Sequence, residues 1–119
     1  MIQAVRHLKL TKENKLEWLM PKVAIYARSL DEKNIAYQVK ECKEFAERNG
    51  YEVVEVYADT STNENLISLI KQALKTNDFQ YVLVHNPSRI SRNPFDFHSH
   101  QSKLKKAGKD IISAKGGSL

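Results

Sequence analysis

Short apolar runs rich in β-branched residues alternate along most of this chain with segments whose apolar residues recur at helical spacing. The first run, residues 23–27, follows Pro21 and predicts a buried strand. Runs of the same kind over residues 51–57, 81–84 and 111–112 predict three more strands. Because helical periodicity separates each run from the next, the sequence predicts the element order β-α-β-α-β-α-β.

The three helical segments also carry end signals. The first covers residues 35–46 and stops at Gly50, a residue type that favours the position just after a helix. The second covers residues 66–74. The third starts at Asn93, a good N-cap ahead of a first-turn proline, and runs to about Ala107.

This order predicts an α/β fold, with a single three-layer domain in which helices flank a mostly parallel β-sheet. In such sheets, ligands bind at the loops that follow the carboxyl ends of the strands. Those loops are expected to begin at Arg28, Ala58 and His85.

The chain divides into an N-terminal extension, residues 1–22, and the α/β domain, residues 23–119. Apolar residues of the extension are expected to form a short helix or strand against the domain, or an oligomer contact: Leu8, Leu10, Leu16, Trp18 and Leu19. With 119 residues, the chain has room for one packed core. It has no apolar stretch long enough for a membrane span, so a cytoplasmic protein without a membrane partner is expected. Cys42 lies among apolar residues at helical spacing and is expected to be a buried thiol.

Polar residues that could carry chemistry follow two of the strands. Arg28 and Ser29 follow the first, and Arg89, Ser91 and Arg92 follow the third. Arginines near a serine hydroxyl suit phosphodiester transesterification, because each guanidinium matches two phosphate oxygens and the hydroxyl can attack phosphorus. The alternative is that they are solvated loop residues that hydrogen-bond the turns. A net charge of +5 is compatible with a polyanionic partner but does not decide between these interpretations.

Three blocks of sequence resemble the catalytic domain of serine recombinases of the resolvase/invertase family. Residues 26–29 read Tyr-Ala-Arg-Ser and are followed by Gln38, where the family has Tyr-x-Arg-x-Ser and then a glutamine that starts a helix. Residues 42–54, CKEFAERNGYEVV, are similar to the family's first helix and second strand. Residues 88–93, Ser-Arg-Ile-Ser-Arg-Asn, stand where the family has Asp-Arg-x-x-Arg.

The resemblance implies a reaction without metal or cofactor, in which a serine cuts a DNA strand and becomes esterified to the 5′ phosphate. DNA is the implied partner, and family members act as homodimers that assemble into tetramers on DNA. The implied catalytic residues are Ser29 as nucleophile and Arg28, Arg89 and Arg92 as the groups that hold the phosphate. The implied substrate-binding positions are Tyr26, Gln38 and Ser88.

The nucleophile loop departs from the family pattern. Ser29 follows Arg28 directly, Leu30 stands at the family's serine position, and the stretch to Gln38 is one residue shorter than in many relatives. Either a one-residue deletion brings Ser29 into place, or the nucleophile is lost. In the second case the chain would be a catalytically inactive resolvase-like domain that acts as a dimerising or regulatory module. In addition, residues 63–65 offer no arginine where the family has one ahead of its second helix.

Two other classes of α/β protein fit these residues less well. A phosphoacceptor receiver would have a carboxylate after the third strand, where this chain has His85 and Asn86, and a flavodoxin would have a phosphate loop after the first strand. His98 and His100 are two apart on a predicted helix and point in different directions, so no metal site is expected. The basic residues near that helix's C-terminus are expected to complement its dipole: Lys103, Lys105 and Lys106. No helix-turn-helix or zinc module is recognisable after Ser113, so we expect the chain alone to read DNA sequence poorly.

Overall fold

The computed structural model describes residues 7–10 and 16–115, and the side chains of residues 20–115. The elements in chain order are β1 (His7–Leu10), β2 (Leu16–Leu19), β3 (Lys22–Arg28), α1 (Glu32–Asn49), β4 (Glu52–Asp59), α2 (Glu64–Lys75), β5 (Tyr81–Val84), a 3₁₀ turn (Pro87–Arg89), α3 (Pro94–Lys106) and β6 (Asp110–Ser113).

Strands β3 to β6 form one sheet in the order β4-β3-β5-β6. Each neighbouring pair is parallel, so each connection must return to the amino edge of the sheet, and a helix makes each return. The predicted α/β fold with helices flanking a parallel sheet is confirmed.

Strand β3 lies inside the sheet, and its side chains alternate between two hydrophobic cores. Val23 and Ile25 belong to the core that α1 covers, and Ala24 and Tyr26 belong to the core that α2 and α3 cover. All four side chains are fully buried. Because a buried strand has no solvent face, its sequence is continuously apolar, and this explains the run from which the strand was predicted.

The ends of the helices follow the predicted signals. Gly50 ends α1 with a φ of 74°, a left-handed conformation in which a side chain would be strained. Asn93 caps α3 by accepting hydrogen bonds from two backbone N–H groups, as predicted. At the start of α1, the side chain of Asp31 caps the helix by accepting a hydrogen bond from the N–H of Lys33.

Two of the loop starts differ from prediction by one or two residues. Arg28 still belongs to β3, and β4 continues to Asp59, because these two residues pair with each other as the last rung of the β3–β4 ladder. The loops therefore begin at Ser29 and Thr60 rather than at Arg28 and Ala58. The third loop begins at His85, as predicted.

In the N-terminal extension, β1 and β2 pair with each other in antiparallel orientation. The segment predicted as a short helix or strand is thus a pair of strands. The predicted packing of its leucines and Trp18 lies outside the described side chains. No helix in the described part of the chain is both long and apolar enough to cross a membrane.

Cys42 is a residue of α1, and its thiol is fully buried between the helix and the sheet. Burial raises the pKa of this thiol to about 12. Only the thiolate attacks a disulfide reagent, so at pH 8 we expect the folded protein to react with such a reagent about a thousandfold more slowly than the unfolded chain. The rate of thiol labelling in buffer and in concentrated guanidinium chloride measures this difference. Equal rates would show that Cys42 is accessible and that α1 does not pack on the sheet as described.

Candidate functional site

The loops that follow β3, β4 and β5 surround one open cleft at the carboxyl edge of the sheet, with a volume of about 720 Å³. The cleft is there because β3 lies between β4 and β5 in the sheet, so the carboxyl ends of the three strands are neighbours. It is lined by Arg28, Ser29, Leu30, Thr60, Ser61, Ser88, Arg89, Ser91, Arg92 and Asn93.

Five of the seven residues predicted for the site line this cleft: Arg28, Ser29, Ser88, Arg89 and Arg92. The other two, Tyr26 and Gln38, are buried behind it, at 0% and 1% exposure. Leu30, Thr60, Ser61 and Asn93 also line the cleft, although the sequence analysis assigned them no role in the site. The cleft therefore unites the two predicted groups of residues, and adds a contribution from the loop after β4.

Gln38 holds the main chain of Arg28 at both of its polar groups. Its side-chain Oε1 accepts a hydrogen bond from the Arg28 N–H at 3.1 Å, and its Nε2 donates to the Arg28 carbonyl oxygen at 2.9 Å. Nε2 also donates to the Oδ1 of Asn34. The side chain thus fixes the backbone where β3 ends and the loop after it begins, and it does so from inside the protein rather than from the cleft.

Arg89 joins the loop after β5 to the loop after β3. Its Nη1 donates a hydrogen bond to the carbonyl oxygen of Arg28 at 3.1 Å. Its Nε is buried and finds no hydrogen-bond partner among the described residues. A buried guanidinium donor without an acceptor is energetically unfavourable. Arg89 also lines the cleft, where its charge is available to an anion.

A buried hydrogen-bond network under the cleft centres on Asp59, which the sequence analysis missed. Its carboxylate accepts hydrogen bonds from the hydroxyl of Tyr26 at 2.7 Å and from the N–H groups of Asn65 and Leu66, at the start of α2. Its backbone oxygen accepts from the N–H of Ser29 at 3.2 Å. Asp59 therefore holds three parts of the structure by hydrogen bonds: the loop after β3, Tyr26 and the start of α2. The available sequence signal was an acidic residue placed shortly before a helix.

Tyr26 is a phenol that stays protonated. Burial, reinforced by the hydrogen bond to Asp59, raises its pKa well above the usual range. Since its hydroxyl already donates to Asp59 and its side chain has no exposed surface, the structure places Tyr26 beneath the site and not in contact with a molecule in the cleft.

Ser29 presents its hydroxyl in a tight turn. Its Oγ accepts a hydrogen bond from the N–H of Asp31 at 3.1 Å, which leaves the hydroxyl hydrogen uncommitted in that bond. Leu30, the next residue, is 83% exposed. Both side chains line the cleft, but only Ser29 brings a nucleophilic group to it from this loop.

The loop after β5 is organised by side chains that bond to their own turn. The hydroxyl of Ser88 donates to the Oδ1 of Asn86, and the Oγ of Ser91 accepts from the N–H of Asn93. Arg92, which lies between Ser91 and Asn93 in the chain, is exposed. No carboxylate stands among the cleft-lining residues, so the guanidiniums of the cleft give it a positive potential.

The described residues contain no group of three or more His, Cys, Asp or Glu side chains placed to hold a metal ion. His100, one of the two histidines weighed in the sequence analysis, lies 3.5 Å from the carboxylate of Asp96 on the same helix.

A sequence model described as the resolvase N-terminal domain matches residues 23–118 of this chain. The chain belongs to the resolvase family. A comparison with curated protein sequences finds no significant match.

Solved structures with the same fold include the catalytic domains of an integrase and of a serine recombinase, and a resolvase-family site-specific recombinase. The N-terminal catalytic domain of TP901-1 integrase has 28% identity and a TM-score of 0.72, over 78% of this chain and 76% of that one. A resolvase-family site-specific recombinase from Streptococcus pneumoniae has 24% identity and a TM-score of 0.74, over 79% and 72%. The catalytic domain of ISC1926 TnpA, an IS607-like serine recombinase, has 23% identity and a TM-score of 0.71, over 81% and 71%. This resolvase-family chain thus has the fold of a serine recombinase catalytic domain.

Replacing Gln38 by alanine should destabilise the domain. The change leaves the N–H of Arg28 without its acceptor, and losing a buried partner costs about 1–3 kcal/mol. Urea unfolding measures the free energy of unfolding. Gln72→Ala is the matched control, because the side chain of Gln72 donates a hydrogen bond to an exposed aspartate. This substitution should change the free energy of unfolding by less than about 0.5 kcal/mol. Equal stability of the two variants would contradict the role assigned to Gln38.

His85 should make stability depend on pH. Burial lowers its pKa, against a smaller opposite effect of Glu41. The unfolded chain therefore binds the proton more readily, and the stability that neutral His85 contributes is present above about pH 6.5 and is lost as the pH falls toward its folded pKa. His85→Asn should lose less stability between pH 7.5 and 5.5 than the parent, measured by urea unfolding at each pH. His98→Asn, at an exposed position on α3, should behave like the parent.

Proposed function

We propose that residues 23–119 are the catalytic domain of a serine-type site-specific DNA recombinase, with residues 1–22 as an extension to it. The observation that carries the proposal is the cleft that brings the Ser29 hydroxyl together with Arg28, Arg89 and Arg92. A nucleophile among fixed positive charges suits attack on a phosphodiester, in which negative charge grows on the phosphoryl oxygens.

In the proposed reaction, the Oγ of Ser29 attacks the phosphorus of one DNA strand. A bond forms between Oγ and phosphorus, the bond from phosphorus to the 3′ oxygen breaks, and the departing 3′ oxygen takes up a proton as the serine loses its own. The product is a 5′-phosphoserine and a free 3′ hydroxyl. Attack by a 3′ hydroxyl from a new partner reverses the step and releases Ser29. The phosphoester bond is conserved throughout, so the cycle needs no cofactor and no external energy source.

The guanidiniums have separate tasks in this scheme. Arg89 lines the cleft and is tied to the loop after β3 by its hydrogen bond to Arg28, so it is suited to binding the phosphoryl group beside Ser29. Arg92 and Arg28 would supply further donors to the phosphate oxygens. Gln38 and Tyr26 would act as positioning residues behind the site, and Ser88 would lie near the substrate at the position of the family's aspartate.

DNA is the proposed partner, and homodimers that form tetramers on DNA are the proposed working assembly. The relatives reported above are an integrase, a site-specific recombinase and a serine recombinase, which supports a role in the movement of mobile elements. A cytoplasmic location is proposed with it.

The reaction predicts a covalent complex between Ser29 and DNA. Supercoiled DNA and a nicked duplex library of random sequence are incubated with the protein, and DNA bound to protein is recovered after denaturation. Ser29→Ala should reduce this product by at least about a thousandfold, because removal of a nucleophile abolishes the covalent step. Ser91→Ala, which removes a different hydroxyl of the same cleft, should retain it.

A full-length active serine recombinase on its own site serves as the positive control for trapping. If that relative is trapped and this chain forms no adduct, the proposed reaction is wrong. An adduct that survives Ser29→Ala would assign the nucleophile to another hydroxyl of the cleft.

The second candidate is a catalytically inactive resolvase-like module for dimerisation or regulation. It is favoured by the start of α2, where Asn63, Glu64 and Asn65 provide no cation, and by Ser88, whose hydroxyl is bonded to Asn86. Absence of an adduct together with concentration-dependent dimerisation in analytical ultracentrifugation would favour this function.

A further inference from the structure

Of the two most exposed large apolar side chains in the described part of the protein, one lines the cleft and the other follows a cleft-lining residue by two positions. Phe95 is 87% exposed and Leu30 is 83% exposed, whereas the other exposed large apolar side chains have values between 38% and 52%. Leu30 lines the cleft from the loop after β3, and Phe95 lies in the first turn of α3, just beyond the loop after β5. Isolated apolar residues on a surface need no explanation, but the two extreme cases here lie either in a loop that lines the cleft or two residues beyond one.

The backbone of Phe95 is hydrogen-bonded to a residue that lines the cleft, while its ring is exposed and does not pack in the core. Its N–H donates to the Oδ1 of Asn93 at 2.9 Å, and Asn93 lines the cleft. The inward aromatic position of the same helix is filled by Phe97, which packs against the hydrophobic core. Folding therefore does not require an aromatic ring at position 95, and its exposure has a cost that a ligand in the cleft would remove.

The ligand that fits both features is a DNA strand with an unstacked base. Arginines bind phosphates but leave the bases uncontacted, while an exposed aromatic ring offers a face on which a base of any sequence can stack. A cationic groove with an aromatic platform is the combination found in proteins that bind single-stranded nucleic acid. Apolar side chains beside a bound backbone also serve as wedges at base steps that have been opened.

Resting on the proposed function, we propose that Phe95 stacks on a base next to the phosphate that the arginines bind, and that Leu30 covers the adjacent sugar. The contact requires a base with one free face, as at a nick, a gap or a distorted step. The protein should therefore bind a gapped duplex more tightly than an intact duplex of the same sequence and length.

The test measures binding of the whole chain to fluorescently labelled intact and gapped duplexes at several salt concentrations. Phe95→Ala should weaken binding to the gapped duplex about 5- to 100-fold and remove the preference for it, with the salt dependence unchanged, because base stacking involves no counterion release. Phe95→Trp should retain the preference. Leu74→Ala, which removes a half-exposed apolar side chain from α2, is the matched control and should bind like the parent.

Variants of the arginines separate failure of this inference from failure of the proposed function. Arg92→Ala should weaken binding to both duplexes and reduce the slope of log affinity against log salt by about 1. If neither Arg92→Ala nor Arg28→Ala weakens binding, or if the parent binds no DNA at low salt, the proposed function fails and the inference fails with it. If the arginine variants weaken binding and Phe95→Ala behaves like Leu74→Ala, only the inference is overturned.

Two further outcomes would also overturn it. An equal loss of affinity for gapped and intact duplex in Phe95→Ala would mean a contact with the sugar-phosphate backbone instead of a base. Loss of a dimer in analytical ultracentrifugation, with DNA affinity unchanged, would assign Phe95 to an interface with a second copy of this chain.

Discussion

The carbonyl oxygen of Arg28 is the junction on which the geometry of the cleft depends. Arg28 is the last residue of the central strand β3. Its carbonyl oxygen accepts one hydrogen bond from Gln38 of α1 and another from Arg89 in the turn after β5. Parallel pairing brings the ends of β3 and β5 together, but pairing alone leaves the loops beyond them free to move. The two bonds to one oxygen fix the loops relative to each other. The guanidinium of Arg89, which lines the cleft, is thus also a structural donor.

This preorganisation matters because catalysis by fixed charges depends on groups that need not reorganise when the transition state forms. Asp59 extends the same support to the loop after β3, since its backbone oxygen accepts a hydrogen bond from Ser29 while its carboxylate accepts one at the start of α2. The cleft nevertheless lacks a cation at the start of α2. One missing donor to a transition state costs about 2.7–4 kcal/mol in comparable sites, which slows a reaction roughly a hundred- to a thousandfold without abolishing it. The departures from the family pattern are thus compatible with slow chemistry as well as with none.

The element order, the sheet and five of the cleft residues could be predicted from the sequence because each depends on a local pattern: apolar runs, helical periodicity and the cap at Asn93. The support beneath the cleft depends on contacts between distant segments and left no such pattern. Tyr26 lies in the run that predicted a buried strand, whereas the burial of Gln38 follows from how α1 packs on the sheet. Asp59 pairs with Arg28 across two strands, so its role became visible only with the register of the sheet. By contrast, Phe97 shares a helical face with Leu104, seven residues on, and Phe95 does not, so this spacing separates the packed ring from the exposed one.

Apolar side chains at the edge of a cationic cleft also affect the electrostatics inside it. A guanidinium in open water interacts weakly with a phosphate, because solvent screens both charges. A DNA strand seated in the cleft against Leu30 would exclude water from the arginines that line it, and exclusion of water strengthens each charge-assisted hydrogen bond. The cleft is open and solvated in the protein alone. Substrate binding would therefore complete the site, because the strand supplies both the anion that the arginines require and the cover that makes their charge effective.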